Sequence, residues 1–115
     1  MSGLNEPLSL DFLALEPRRL LEWEMDSASR AVLLRPKFGS GLLGRTLLSW
    51  FGPSHYRIHL DEVGTAIWVC LDGETPLATV LPELKKEFGS RVEPAEERLR
   101  MFVDDMIRRK LIEVN

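Results

Sequence analysis

The chain has 115 residues and a mass of 13.2 kDa, enough for one domain with a core of its own. Hydrophobic residues at 44% and charged residues at 29% exclude a disordered chain. The balance of 15 Lys+Arg against 18 Asp+Glu counts against a dedicated nucleic-acid binder, which needs a basic surplus to neutralise phosphates.

The leading segment carries Glu6 and Asp11 where a signal peptide would be basic and then apolar, and no run approaches the ~18 apolar residues of a membrane span. A cytoplasmic protein is expected, with its single cysteine, Cys70, reduced; one cysteine also excludes an intramolecular disulfide and multi-cysteine zinc or iron–sulfur sites. Residues 1–16 read as an N-terminal extension and 17–115 as the domain. After Pro17, Leu21, Trp23 and Met25 alternate with Glu22 and Glu24, the period-two pattern of a strand with one apolar face. Asp26-Ser27-Ala28-Ser29 supplies turn chemistry, and Arg30–Arg35 returns as a second strand until Pro36. The connection at 36–54 holds Leu43, Leu47, Trp50 and Phe51 at helical spacing, which predicts a short amphipathic helix over 42–51 packed on the sheet as a lid, the alternative being a membrane or partner patch. A third strand follows at His55–Leu60, with Tyr56, Ile58 and Leu60 facing one way and Arg57 and His59 the other.

The remainder reads as helical. Asp61 is placed to cap a first helix running through about Cys70, with Val63, Ala66, Ile67, Val69 and Cys70 on its apolar face. After the Leu71-Asp72-Gly73-Glu74 turn, Thr75 caps and Pro76 opens a second helix that Gly89 stops; Pro82 inside it predicts a kink or a split. Pro94 opens a third helix with Leu99, Phe102, Val103, Met106 and Ile107 on one stripe, and Leu111–Val114 forms a tail strand.

No catalytic constellation stands out. His55 and His59 lie ~13 Å apart on a strand, too far to share one metal ion. Cys70, between Val69 and Leu71, reads as core packing and not as a nucleophile. Glu96/Glu97 and Asp104/Asp105 are adjacent and interleaved with arginines, as on a solvated helix face. The glycines at 39, 41 and 44 match no phosphate-binding loop. Charge is uneven: residues 17–60 hold seven bases and three acids, a balance of +4, and residues 61–115 hold eight bases and twelve acids, −4. The basic half favours an acidic partner.

The run Leu60-Asp61-Glu62-Val63-Gly64-Thr65-Ala66-Ile67-Trp68, then Leu71-Asp72-Gly73-Glu74-Thr75, then Val80, Leu84, Phe88 and Gly89, and finally Leu99, Phe102, Ile107 and Arg109-Lys110-Leu111-Ile112, resembles the pyrroloquinoline quinone (PQQ) biosynthesis protein D, or PqqD-like, family. The resemblance implies an α+β, winged-helix-like fold, a three-stranded antiparallel sheet followed by three helices. It implies a peptide chaperone, a recognition element for ribosomally made and post-translationally modified peptides. Such a domain has no catalysis and no cofactor of its own; it holds a precursor leader peptide for a separate modifying enzyme, of the radical SAM type. In that family the leader adds as a strand to the third strand, in a cleft walled by the third helix. The peptide-binding residues implied are therefore His55, Tyr56, Arg57, Ile58 and His59 on the strand, with Leu99, Arg100, Phe102, Val103 and Met106 on the helix. Arg57, His59 and Arg100 are the favoured contacts, because their alternative is only solvent. Replacing Ile58 by proline removes a backbone donor and is the change expected to block the edge, with disturbance of the sheet as its alternative effect. The alternatives are a winged-helix DNA-binding regulator, disfavoured by Glu93, Glu96 and Glu97 at the start of the third helix, and an interaction module that forms a homodimer through the 42–51 segment.

Overall fold

Residues 10–36 and 55–114 are described by the structure, a computed structural model. In chain order they form α1 (Leu10–Leu13), β1 (Arg18–Arg19), β2 (Glu22–Met25), β3 (Ala31–Pro36), β4 (His55–His59), α2 (Glu62–Trp68), α3 (Leu77–Phe88), a 3-10 turn (Gly89–Val92), α4 (Ala95–Arg108) and β5 (Ile112–Glu113). The architecture is α+β, with a three-stranded antiparallel sheet followed by the three helices α2, α3 and α4, as the sequence predicts. The amphipathic helix expected over 42–51 lies outside the described residues. The chain divides into two compact units, Leu21–Leu60 and the remainder on either side of it.

The Leu21–Leu60 unit is the sheet, in the order β2-β3-β4. Its first turn is made by Asp26, whose Oδ1 accepts from the backbone N–H groups of Ala28 (2.8 Å) and Arg30 (3.0 Å). Ser29 takes the left-handed conformation at φ 61° to close it. Pairing sets Glu24 opposite Val32 and Trp23 opposite Leu33 on one side of β3, and Arg57 opposite Leu34 and Ile58 opposite Leu33 on the other. Strand alternation then puts Trp23, Leu33, Tyr56 and Ile58 on one face and Glu22, Glu24, Arg57 and His59 on the other. The central strand is buried on both faces at Ala31, Val32 and Leu33.

The second unit is helical. Asp61 caps α2 as expected, its Oδ1 accepting from Gly64 N–H at 2.7 Å. The helix stops at Trp68, short of Cys70: Val69 is the C-cap and exposed, and the buried face is Gly64, Thr65, Ile67 and Trp68. Arg19 from β1 holds that end, donating to the carbonyls of Trp68 (3.0 Å) and Val69 (3.1 Å). Thr75 does not cap α3. Its hydroxyl and N–H both bond the Asp72 carboxylate, which also accepts from Glu74 N–H, and Pro76 takes the N-cap position with its carbonyl accepting from Thr79 N–H. Leu77, Val80, Leu84 and Phe88 form the buried stripe of α3. The helix runs unbroken through Pro82, which lies on its exposed side, so the expected split does not occur. Gly89 ends it at φ 56°, ψ −134°, a region that only glycine occupies readily.

Pro94 likewise sits one place outside its helix. The Glu93–Pro94 bond is cis, and the Glu93 carboxylate accepts from Ala95 N–H at 3.0 Å, filling the role of the missing cap. Ala95, Leu99, Val103 and Met106 form the buried stripe of α4. The helix ends in a Schellman arrangement: Lys110 at φ 62°, its N–H on the Ile107 carbonyl and Leu111 N–H on the Met106 carbonyl. The tail strand β5 then pairs antiparallel with β1, where Arg18 and Glu113 form an ion pair, and β1 also bridges Asp72 on its other side.

Candidate functional site

Strand β4 sits at one end of the sheet, with no strand on its outer side among the described residues. The direction of its backbone groups follows from one hydrogen bond. Leu60 N–H donates to the Ala31 carbonyl, so in the alternating antiparallel ladder Ile58 and Tyr56 also exchange bonds with β3, through Leu33 and Arg35. The N–H and C=O groups of Arg57 and His59 therefore point outward. On β2 the same alternation, started by Asp26 N–H on the Arg30 carbonyl, turns Trp23 and Met25 outward.

This parity corrects one expectation. Ile58 gives its backbone to β3, so a proline there breaks the sheet itself and does not merely block its edge. Arg57 and His59 are the positions whose N–H groups an added strand would meet. A row of outward backbone groups gives affinity to any extended segment, and the alternating side chains beside it give selectivity.

The side chains along this edge divide by face. Arg57 is half-exposed and reaches diagonally across β3 to Glu24, Nη2 to Oε2 at 2.6 Å. Glu24 is the partner that the sequence reading missed; its place beside Glu22 on the polar face of the first strand was the available signal. His59 is exposed on the same face. Tyr56, 58% exposed, and the half-buried Ile58 lie on the apolar face. His55 takes its place in β4 opposite Pro36.

The residues expected from the third helix lie in the other unit and divide differently. Leu99, Val103 and Met106 are buried in its core, and Phe102 is half-buried. Arg100 does not stand in solvent. Its side chain is only 27% exposed, with Nε 3.8 Å from Asp104 and the guanidinium 5.5 Å from the ring of Phe12. Asp105 likewise pairs with Arg108 and Arg109, as a solvated helix face requires. Cys70 is half-buried, and its thiol donates to the Ala66 carbonyl at 3.4 Å; burial, with Asp72 beside it, pushes its pKa up from the ordinary value, the opposite of an activated nucleophile.

Among the described residues no group of three or more His, Cys, Asp or Glu is gathered to hold a metal ion. No described helix is long and apolar enough to cross a membrane. No curated protein and no solved structure matches the chain. A family model described as Coenzyme PQQ synthesis protein D (PqqD) matches residues 45–112, which takes in the whole of β4, the helices α2, α3 and α4, and the Schellman end of α4. With more than half of its length covered by that match, the chain belongs to the PqqD family.

Proposed function

We propose that this protein is a non-catalytic peptide chaperone. An extended segment of a ribosomal precursor peptide adds as a strand to the outer edge of β4, and the protein presents the peptide to a separate modifying enzyme of the radical SAM type. Membership of the PqqD family implies a peptide-binding partner in PQQ synthesis. The observation that carries the reading to this edge is the outward set of backbone groups at Arg57 and His59, on a strand with no neighbour on that side among the described residues. Backbone pairing supplies affinity without a deep pocket, and Tyr56, Ile58, Arg57 and His59 supply the selectivity.

The test is an amide NMR titration of the labelled protein with candidate leader peptides from its own genome, beside a control DNA duplex. Shifts gathered at 56–60 with one peptide are the expected result. His59→Pro removes an outward N–H while leaving the ladder to β3 intact, so it should weaken that peptide's binding with the far-ultraviolet spectrum unchanged. Shifts with the duplex and none with any peptide would sink the reading in favour of a DNA-binding regulator, whose affinity would also fall steeply with salt.

A further inference from the structure

We propose that the segment received by β4 alternates acidic and apolar residues, with carboxylates opposite Arg57 and His59 and apolar side chains opposite Ile58 and Tyr56. The inference rests on strand addition at this edge and adds the chemistry of the segment.

Pairing parity makes the argument. Residues directly opposite one another across a strand pair project to the same face, so whatever pairs with Arg57 and His59 shares the face of the guanidinium and imidazole. Arg57 is a permanent cation with five N–H donors. Its bond to an acid comes from two strands away, on Glu24, and both side chains of that pair stay about half-exposed, at 51% and 49%. A carboxylate on an adjacent strand would stand directly opposite Arg57, with one strand spacing to cross where Glu24 must reach across two. On the opposite face Tyr56 and Ile58 offer apolar surface, which selects for the other phase of the alternation.

The sheet already contains one strand of this pattern. Leu21-Glu22-Trp23-Glu24-Met25 runs along the far edge with its acids on the Arg57 face and its apolar residues on the Tyr56 face. The two edges are thus opposite in sign. Pairing β4 with the β4 of a second copy would set Arg57 and His59 against the same basic residues, which disfavours self-pairing there.

The probe follows from that strand: a blocked peptide copying residues 20–26, Leu-Leu-Glu-Trp-Glu-Met-Asp, compared with the same peptide carrying lysine at both glutamate positions. At low salt the acidic peptide should bind about five- to tenfold more tightly, with amide shifts at 56–60. The ratio should narrow as salt is added. It should reverse in the protein carrying Glu24→Arg together with Arg57→Glu, which preserves the internal ion pair and inverts the edge. Equal binding of both peptides with shifts at 56–60 would overturn the acidic pattern and leave strand addition standing. No shift with either peptide or with any leader would remove strand addition and this inference together. Concentration-dependent self-association abolished by Glu22→Lys and Glu24→Lys would assign the edge to a second copy, and would also overturn it.

Discussion

Two aspartates organise turns in the same way, one in each unit. Asp26 closes the β2–β3 turn by accepting from Arg30 and Ala28, and Asp72 orders the turn before α3 by accepting from Glu74 and Thr75. Those hydrogen bonds hold both carboxyls below the ordinary 3.8, chiefly through the Arg30 backbone at Asp26 and the Glu74 backbone at Asp72. A lowered folded-state pKa means that the unfolded chain binds more protons in the acid range. The stabilisation is therefore present above the unfolded pKa and lost as pH falls through the folded one. The thermal midpoint should drop as pH is lowered from about 5 towards 2, and Asp72→Asn should flatten that drop while lowering the midpoint at neutral pH. Parallel curves for the two proteins would show that Asp72 is not one of the groups responsible. Both aspartates stood in recognisable turn sequences. That Thr75 would serve Asp72 and not α3 was not legible, because Thr at that spacing suits either partner.

The ends of the helices show a second level of specification. Gly89 closes α3 in a conformation that suits glycine, whereas α4 closes with Lys110 in the left-handed region, where a Cβ is costly. Lys110→Gly relieves that cost against the greater entropy of an unfolded glycine, so it should raise stability by about 0.5–1 kcal/mol, read as a higher denaturant midpoint at constant slope. An unchanged or lower midpoint would count against strain at this position. The helices α3 and α4 were legible because their stripes recur at three and four residues over three turns or more, as Leu77, Val80, Leu84 and Phe88 do, and the short α2 was legible from its Asp61 cap. Pro82 was legible as a residue, but the split expected there does not occur. Its ring sits on the exposed side, where water can serve the carbonyl left without a donor, and the buried stripe holds the helix together around it.

Residues 10–20 belong to the helical unit. Phe12 is buried, and the backbones of Leu15, Pro17, Arg19 and Leu20 each bond the chain beyond Asp61, at Leu77, Gly73, Leu71 and Leu111. Four such hydrogen bonds at about 0.5–1.5 kcal/mol each, with a buried Phe side chain at about 3–5 kcal/mol, amount to much of a typical domain's 5–15 kcal/mol. A chain starting at Leu21 should therefore melt at least ~10 °C lower or fail to fold by circular dichroism, although the family match begins only at residue 45. A melting temperature equal to that of the full chain would show these bonds to be dispensable.

The sequence by itself determined the hairpin, the third strand, the three helices, the faces of each strand and the family, because each is written in a local period or an ordered string of residues. Only the tertiary structure decided the rest. Two-residue strands such as β1 and β5 are too short to show a period, so their pairing waits on the chain closing back on itself. Arg100 meets Phe12 across 88 positions of sequence, a contact that no spacing announces. A strand's alternation fixes which side chains share a face, but the sideways direction of its backbone groups depends on the register against its neighbour. That is why Ile58 and His59, adjacent on one strand, turn out to bond the sheet and its open edge respectively.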